Sequence, residues 1–417
     1  MTAALFAEPT RRVGGWWIAA FSAAWLGVWM AQLTPVQYLL PLQVDGLFAE
    51  GTWQQSTLDF GLVSGVAAVC SIVAYPLTGA LSDRTTSRFG RRRPWILVGA
   101  LIFALSLLVL SVQTTVAGVT VFWSLASVGF CALSAALTAL ISDQVPVGQR
   151  GLVSGLISAP QALGIILGVI LVTELFVGTV AGYAALAVLL VILVAPFLLL
   201  VPDPRLPREA RPPLTLRALV QGFWISPRRY PDFGWTLLSR VLVNIGNALG
   251  TSLLLYFLIF GLGLDEATAE DDLLVLIVIY AIMSVVSSIV CGRLSDVLGR
   301  RRVFVLASSA LQAAGAILLA AIPTFDVALV GAALLGLGYG CFLAIDQALA
   351  TQVLPDAQSR GKDLGIMNIA SALPQGIAPM IGALIVTAFG SFPSLFVASA
   401  IVGVLGAAAV LPIRSVK

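Results

Sequence analysis

Histidine is absent from all 417 residues of this chain. That removes the side chain most often used as general base, proton relay and metal ligand near neutral pH, so no Ser-His or Cys-His nucleophile pair can form. Charge is scarce as well: 10% of residues are charged and 59% hydrophobic, whereas soluble domains carry about 25% charged residues. Such a chain cannot hide its apolar surface in a water-soluble core, and a bilayer is the solvent it requires. Cysteine is limited to Cys70, Cys131, Cys291 and Cys341, each inside an apolar run. Neither paired metal-ligand spacing nor a disulfide framework is open to them, and they read as small packing residues. No metal site and no cofactor is expected. The net charge of +3 implies no nucleic-acid partner, because the basic residues are spent on topology.

What the chain has in abundance is apolar runs of about 20 residues, the length that crosses roughly 30 Å of hydrocarbon. Twelve occur, near residues 15–42, 58–81, 94–112, 115–142, 152–175, 180–201, 234–262, 272–292, 303–322, 325–353, 364–388 and 392–412. They are too long and too uniformly apolar for barrel strands of about 10 alternating residues, which leaves helices. Lys and Arg in short loops stay on the cytoplasmic side. Alternating the loops between faces puts 22 of the 23 basic residues on one side, the exception being Arg240 inside the seventh run. Both termini are therefore expected in the cytoplasm of a multi-pass cell (inner) membrane protein. The first run is too long for a signal h-region and lacks a small-residue cleavage site, so it is expected to remain as a helix. The outward loops carry acid, including Asp265, Glu266, Glu270, Asp271 and Asp272, read as a solvated loop.

A basic motif is written twice, half a chain apart. Gly79-Ala80-Leu81-Ser82-Asp83-Arg84 leads to Gly90-Arg91-Arg92-Arg93, and Gly292-Arg293-Leu294-Ser295-Asp296 leads to Gly299-Arg300-Arg301-Arg302. Further echoes are Val145-Pro146 with Arg150-Gly151 against Leu354-Pro355 with Arg360-Gly361, and Pro160-Gln161 against Pro374-Gln375. A period this large means two similar halves. The expected division is an N-terminal six-helix bundle over 1–201, a Pro- and Arg-rich linker over 202–233, and a C-terminal bundle over 234–417.

Six plus six helices with one basic hairpin after the second helix of each half resemble the major facilitator superfamily of secondary transporters. The second hairpin is similar to that superfamily's Gly-x-Leu-x-Asp-x-x-Gly-Arg-Arg signature. The longer first hairpin, Ser82 to Pro94, is similar to sucrose/proton symporters and to glycoside-pentoside-hexuronide symporters. Ala344 to Leu349 followed by Gly361 to Gly365 resembles actinobacterial members. The resemblance implies the fold of two pseudo-symmetric bundles, a substrate site between parallel repeats near the midplane, and a monomer in the lipid bilayer. It also makes the hairpins a gate latch, with Asp83, Arg84, Asp143 and Arg150 in a cytoplasmic charge network; Gly79, Gly90, Arg91, Gly292, Asp296, Gly299 and Arg300 complete the two copies. Gly79 and Gly292 would allow helices to slide closely past one another, and Asp83 and Asp296 could cap a neighbouring helix or pair with Arg. The alternative is that the arginines serve topology alone.

An ionisable group inside a span costs at least ~2.5 kcal/mol on insertion scales and is a functional candidate by default. Arg240 lies seven residues in from Phe233 and Asp346 nine in from Pro355, which at 1.5 Å per residue puts both roughly 10–14 Å deep, so they could meet. The superfamily lines its cavity with helices 1, 4, 7 and 10, so the resemblance places both residues there. Arg240, Asn244, Asn247 and Thr251 form one stripe at i, i+4, i+7 and i+11, needing water, ligand or interhelical partners. With no histidine, proton coupling would fall to a carboxylate, and an Asp346 parted from Arg240 would bind a proton. The bland reading is a fixed internal pair. Further substrate-site candidates are Trp29 and Gln32 beside Trp25, then Gln37, Gln161, Asn368 and Gln375, a set of amides and aromatics suited to a neutral, hydroxyl-rich ligand. Trp16 and Trp17 read as interface anchors.

The expected function is thus alternating-access transport of a small solute, coupled to protons, with a sugar or glycoside as the leading substrate. The runner-up is proton-driven export of apolar compounds, which the aromatic first run suits. Residues 118–142 and 60–82 contain no carboxylate, so the acids that the two symporter families place in helices 4 and 2 are absent here. A membrane enzyme or non-transporting sensor is a third reading, for which the chain offers no nucleophile-His pair and no soluble domain.

Overall fold

The computed structural model describes residues 9–10, 12–47, 52–206, 228–352 and 360–413. Within them the chain forms twelve helical segments. They are α1 (Gly15–Asp45), α2 (Trp53–Asp83), α3 (Arg93–Leu110), α4 (Val116–Gln144), α5 (Val147–Ile170, extended by Leu171–Leu175) and α6 (Thr179–Leu200). After the linker come α7 (Pro231–Gly261), α8 (Glu266–Leu298), α9 (Arg301–Ala321), α10 (Phe325–Gln352), α11 (Arg360–Phe389) and α12 (Pro393–Ala408). Nine of these are long and apolar enough to cross a membrane by length and composition, and three shorter apolar stretches belong to α5, α11 and α12. The twelve-helix expectation is met.

The helix ends follow from their sequences. Thr115 caps α4 by accepting from the Gly118 amide, and Asp265 caps α8 by accepting from the Thr268 amide at 3.2 Å and its hydroxyl at 2.7 Å. Those bonds from Thr268 hold the exposed Asp265 carboxyl below the usual range. Three segments widen to i+5 bonding: Pro35–Leu39 in α1, Leu171–Leu175 in α5 and Phe257–Gly261 in α7. Pro35 has no N–H to return to the preceding turn, which explains the first of these.

Burial separates the spans. In the most apolar window of α4 and α7, 72% of residues are buried, and in α1 and α10 61%; α6 and α8 reach only 33%. The most enclosed long spans are therefore the two pairs at matching places in the repeat.

Contacts divide the chain into two compact units. The first is Met1–Leu39 with Val66–Gly222, and the second is Leu40–Gly65 with Phe223–Lys417. In the first, α3 and α4 cross at Gly99 and Gly129, where an added Cβ would lie 2.7 Å from the Leu133 nitrogen and 2.6 Å from the Phe103 nitrogen. Small residues at membrane crossings let backbones meet in this way. In the second unit the end of α1 and the start of α2, within Leu40–Gly65, join the C-terminal helices. The buried Tyr256 hydroxyl donates to the Pro41 carbonyl at 2.9 Å, Phe60 stands edge-on to Tyr256, and Trp53 packs on Phe392. Also in this unit α8 and α10 touch so closely that a Cβ at Gly340 would sit 2.0 Å from the Ser284 carbonyl oxygen.

Gly340→Leu is accordingly expected to cost about 3 kcal/mol or more through overpacking, read as a lowered melting temperature in detergent. Gly15→Ala, with open space around the new Cβ, is the control and should melt as the parent does.

Candidate functional site

Two polar assemblies stand out, one in each unit. In the first unit the Arg-rich ends of α2, α3, α4 and α6 meet around Arg92, which is 4% exposed. Its guanidinium bonds Asp83 through Nη2, Asp143 through Nε at 3.0 Å, and the Ser82 hydroxyl through Nη1. Arg91 adds a second pair with Asp143 at 2.6 Å. Burial alone would lower the pKa of Arg92, but Asp143 and Asp83 outweigh it and hold it above the ordinary value. Arg84, expected in this network, forms no ion pair among the described residues, and its buried Nε has no partner. The side chain of Arg150 lies outside the described residues.

Asp203, just past the end of α6, completes the assembly. One carboxylate oxygen accepts from the Arg92 amide at 2.5 Å and the Arg93 amide at 2.8 Å, so the start of the linker caps the start of α3. Gly90, with φ of 109°, gives the hairpin a turn that side-chain-bearing residues rarely adopt, and a Cβ there would strike Asp203. Burial raises the Asp203 carboxyl above the usual range, against the two amide bonds and Arg92, with nearby Asp143 adding to the rise. Further bonds tie in neighbouring elements: Trp17 Nε1 to Gln144 Oε1 at 2.8 Å, Gln144 Nε2 to the Pro202 carbonyl at 2.8 Å, and the Val13 amide to Gln149 Oε1 at 3.0 Å. Trp17 is thus buried and bonded inside the protein, correcting its reading as an interface anchor, whereas Trp16 is 65% exposed. Sequence reading missed Arg92 as the centre and Asp203 altogether. Asp203 was legible as the one acid beside two prolines where an otherwise basic linker begins.

The second hairpin is described only in part. Gly299, in the left-handed conformation at φ 63°, ends α8, and Arg300 leads into α9. The Asp296 side chain lies outside the described residues. A Cβ at Gly292 would be 3.5 Å from Ala344, an ordinary contact, and one at Gly79 would meet nothing within 4 Å. Among the described residues neither glycine makes a backbone approach tighter than ordinary contact.

The second assembly lies inside the spans of the second unit. Arg240 on α7 and Asp346 on α10 meet at 2.6 Å, with side chains 1% and 3% exposed. One contact is made through Nη2; the buried Nε has no partner. Around the pair runs an amide and phenol network. Asn244 Nδ2 donates to the Arg240 carbonyl at 2.7 Å, Tyr339 donates to Asn244 Oδ1 at 3.1 Å, and Tyr280 donates to Asn247 Oδ1 at 3.1 Å. Gln375 on α11 bonds the Tyr339 side chain, and the rings of Tyr280, Tyr339 and Phe342 stack in sequence. Phe233, Val243, Val305, Phe342 and Ile345 enclose this group in apolar packing. Tyr339 stands seven residues before Asp346, on the same helical face, a spacing through which sequence reading could have found it.

The remaining candidates lie on other helices. Trp25 and Trp29 stack at 5.7 Å, and Phe130 leans on Trp29 at 5.9 Å. The two indole nitrogens and Gln32 Oε1 are buried without partners. Gln37 falls in the widened turn of α1, and it and Gln161 are half-buried. The Asn368 side chain lies outside the described residues.

The Major Facilitator Superfamily family model matches residues 15–274 and 241–417. An uncharacterised MFS-type transporter of Mycobacterium tuberculosis is 29% identical over 287 residues, 66% of this chain; the match spans 60% of that relative's length. Proton-associated sugar transporter A of Homo sapiens is 51% identical over 51 residues, 12% of this chain and 7% of its own. Among solved structures, a bacterial homolog of the human lysosomal transporter Spinster, in an inward-facing and occupied conformation, superposes with a TM-score of 0.72. It is 13% identical, over 94% of this chain and 95% of that one, a likeness of fold.

The Asp203 cap yields a pH signature. Because its pKa is raised in the folded state, its contribution to stability is greatest below the unfolded value and is lost as pH rises through the folded value. The melting temperature of the parent should therefore gain on that of Asp203→Asn as pH falls from neutral into the ordinary carboxylate range, and parallel profiles would contradict this. Asp203→Ala, which removes the acceptor for two amides, should cost about 1 kcal/mol.

Proposed function

The chain belongs to the major facilitator superfamily, a family of membrane transporters, and from that premise we propose that it is a proton-coupled secondary transporter of a small hydroxylated solute. Asp346 is the proton site, Arg240 its partner, and alternating access the mechanism. The observation that carries this reading is the Arg240–Asp346 pair, buried to 1% and 3% exposure inside two spans. A buried ion pair adds little stability over apolar packing, so it is weak as a structural device, while an intramembrane ionisable residue commonly marks an ion or substrate path. No histidine competes for the role.

Coupling follows from the electrostatics of the pair. Arg240 beside Asp346 favours the charged form of the carboxylate. A rearrangement that separates them leaves a buried anion, which takes up a proton more readily than it stays charged in a low dielectric. Proton uptake and release then depend on the arrangement of the helices, as coupling requires.

The substrate reading rests on donors and acceptors. The amide and phenol network around the pair, and the partnerless indole nitrogens and Gln32 Oε1 beside aromatic faces, suit hydroxyl groups on a carbon ring. The short stretch shared with proton-associated sugar transporter A supports a sugar or glycoside. The Trp25, Trp29 and Phe130 stack is what would favour export of apolar compounds instead. The first assembly supports a cytoplasmic latch centred on Arg92, opening and closing as the solute passes.

In proteoliposomes, Asp346→Asn is expected to abolish uptake driven by a pH gradient while leaving counterflow exchange of the same solute largely intact. A sugar chosen by a thermal-shift screen of the purified protein is the probe. Uptake by the variant that still follows the pH gradient would overturn the assignment.

A further inference from the structure

Arg240 has more hydrogen-bonding capacity than Asp346 uses. The guanidinium offers Nε and Nη2 along one edge, the pair of donors that a carboxylate takes side-on with both oxygens. Asp346 engages Nη2 at 2.6 Å, and Nε, buried on a side chain 1% exposed, has no partner. A buried donor left unpaired is costly and rare. The edge is half filled.

Charge accounting leads to the occupant. With the pair intact the site sums to zero. One proton on Asp346 makes it neutral and frees Arg240, leaving one uncompensated positive charge in the membrane interior, a strongly unfavourable state. A neutral solute cannot relieve it. Asn244, Asn247, Tyr280, Tyr339 and Gln375, the polar groups from α7, α8, α10 and α11 around the pair, are uncharged. Among the described residues no second acid pairs with Arg240.

We propose that the solute carries a carboxylate, which replaces Asp346 on Arg240, spanning Nε and Nη2, when Asp346 takes up the proton. This inference rests on the proton-coupled reading of the same pair and refines its substrate to a small hydroxylated monocarboxylate. The proton comes from water on the side to which the site is open. The ion pair to Asp346 breaks, an ion pair to the solute forms, and no covalent bond changes. The loaded site again sums to zero, so one anion and one proton cross together without net charge. Tyrosine hydroxyls and amides next to Arg240 remain to bond the solute's hydroxyls.

The test uses the full-length protein in liposomes loaded with a pH-sensitive dye, with D-gluconate and D-glucuronate as anionic probes and D-glucose and sucrose as neutral ones. Proton entry driven by gluconate or glucuronate, at the same rate with and without an imposed membrane potential, is the expected result. Arg240→Gln should reduce it at least tenfold. Arg240→Lys, which keeps the charge but loses the side-on edge, should raise KM at least fivefold with a smaller effect on the maximal rate. Melting curves of both variants report whether they fold, and the wild-type comparison of probes stands without them. Proton entry with glucose or sucrose, accelerated by an inside-negative potential, would overturn the carboxylate and leave the proton-coupled reading standing. Anion uptake without protons would overturn that coupling reading while supporting an anion on Arg240. Failure of both probe classes to move would overturn both.

Discussion

Charge neutrality inside a low-dielectric bundle is the constraint on which the rest of this structure turns. A chain so poor in charged residues has still kept an arginine and an aspartate facing each other in the depth of two spans. Breaking such a pair by removing one member costs about 3–5 kcal/mol, whereas replacing both by apolar groups is often neutral or better. Stability alone therefore gives little reason to keep the pair. Its surroundings are arranged accordingly, with amides and phenols that are mutually satisfied on one side and an apolar cluster on the other, so that a change in the pair is felt directly by α7, α8 and α10.

Among the described residues the two units carry polar assemblies of different kinds. In the first unit Arg92 collects two carboxylates and a hydroxyl, and Asp203 ties the following linker to the first turn of α3. In the second unit the polar investment lies deeper, around Arg240 and Asp346. Solvent reaches Asp83 and, less, Asp143 in the first assembly, although Arg92 itself is enclosed. Both members of the second pair are enclosed, which makes them expensive to separate.

Much of the fold was legible because hydrocarbon thickness imposes a length on every span, and all twelve helices fall where apolar runs do. That Arg240 and Asp346 could meet was legible from their similar depth; that they do is a finding of the structure. What sequence could not supply was rotation about each helix axis. Arg84 and Arg92 belong to one hairpin and carry the same side chain, and only the turn at Gly90 decides which one faces Asp143. Trp16 and Trp17 are neighbours that point roughly 100° apart on a helix, so one is exposed and the other is buried against Gln144. Asp203 stood out as an acid between two prolines, but its partners are backbone amides, which residue identity does not reveal.

The same limit explains why the partners of the charged pair emerge only from the structure. Tyr339 and Tyr280 are unremarkable in an apolar run, because tyrosine serves equally well as packing. Their hydroxyls acquire meaning from the acceptors they meet, Asn244 and Asn247, which lie on the α7 stripe that begins at Arg240. That stripe is bonded along its length to helices on two sides, so a tilt or rotation of α7 must break those bonds and the ion pair together. A ligand that replaces them would pay for the movement, and one that replaces only part would not.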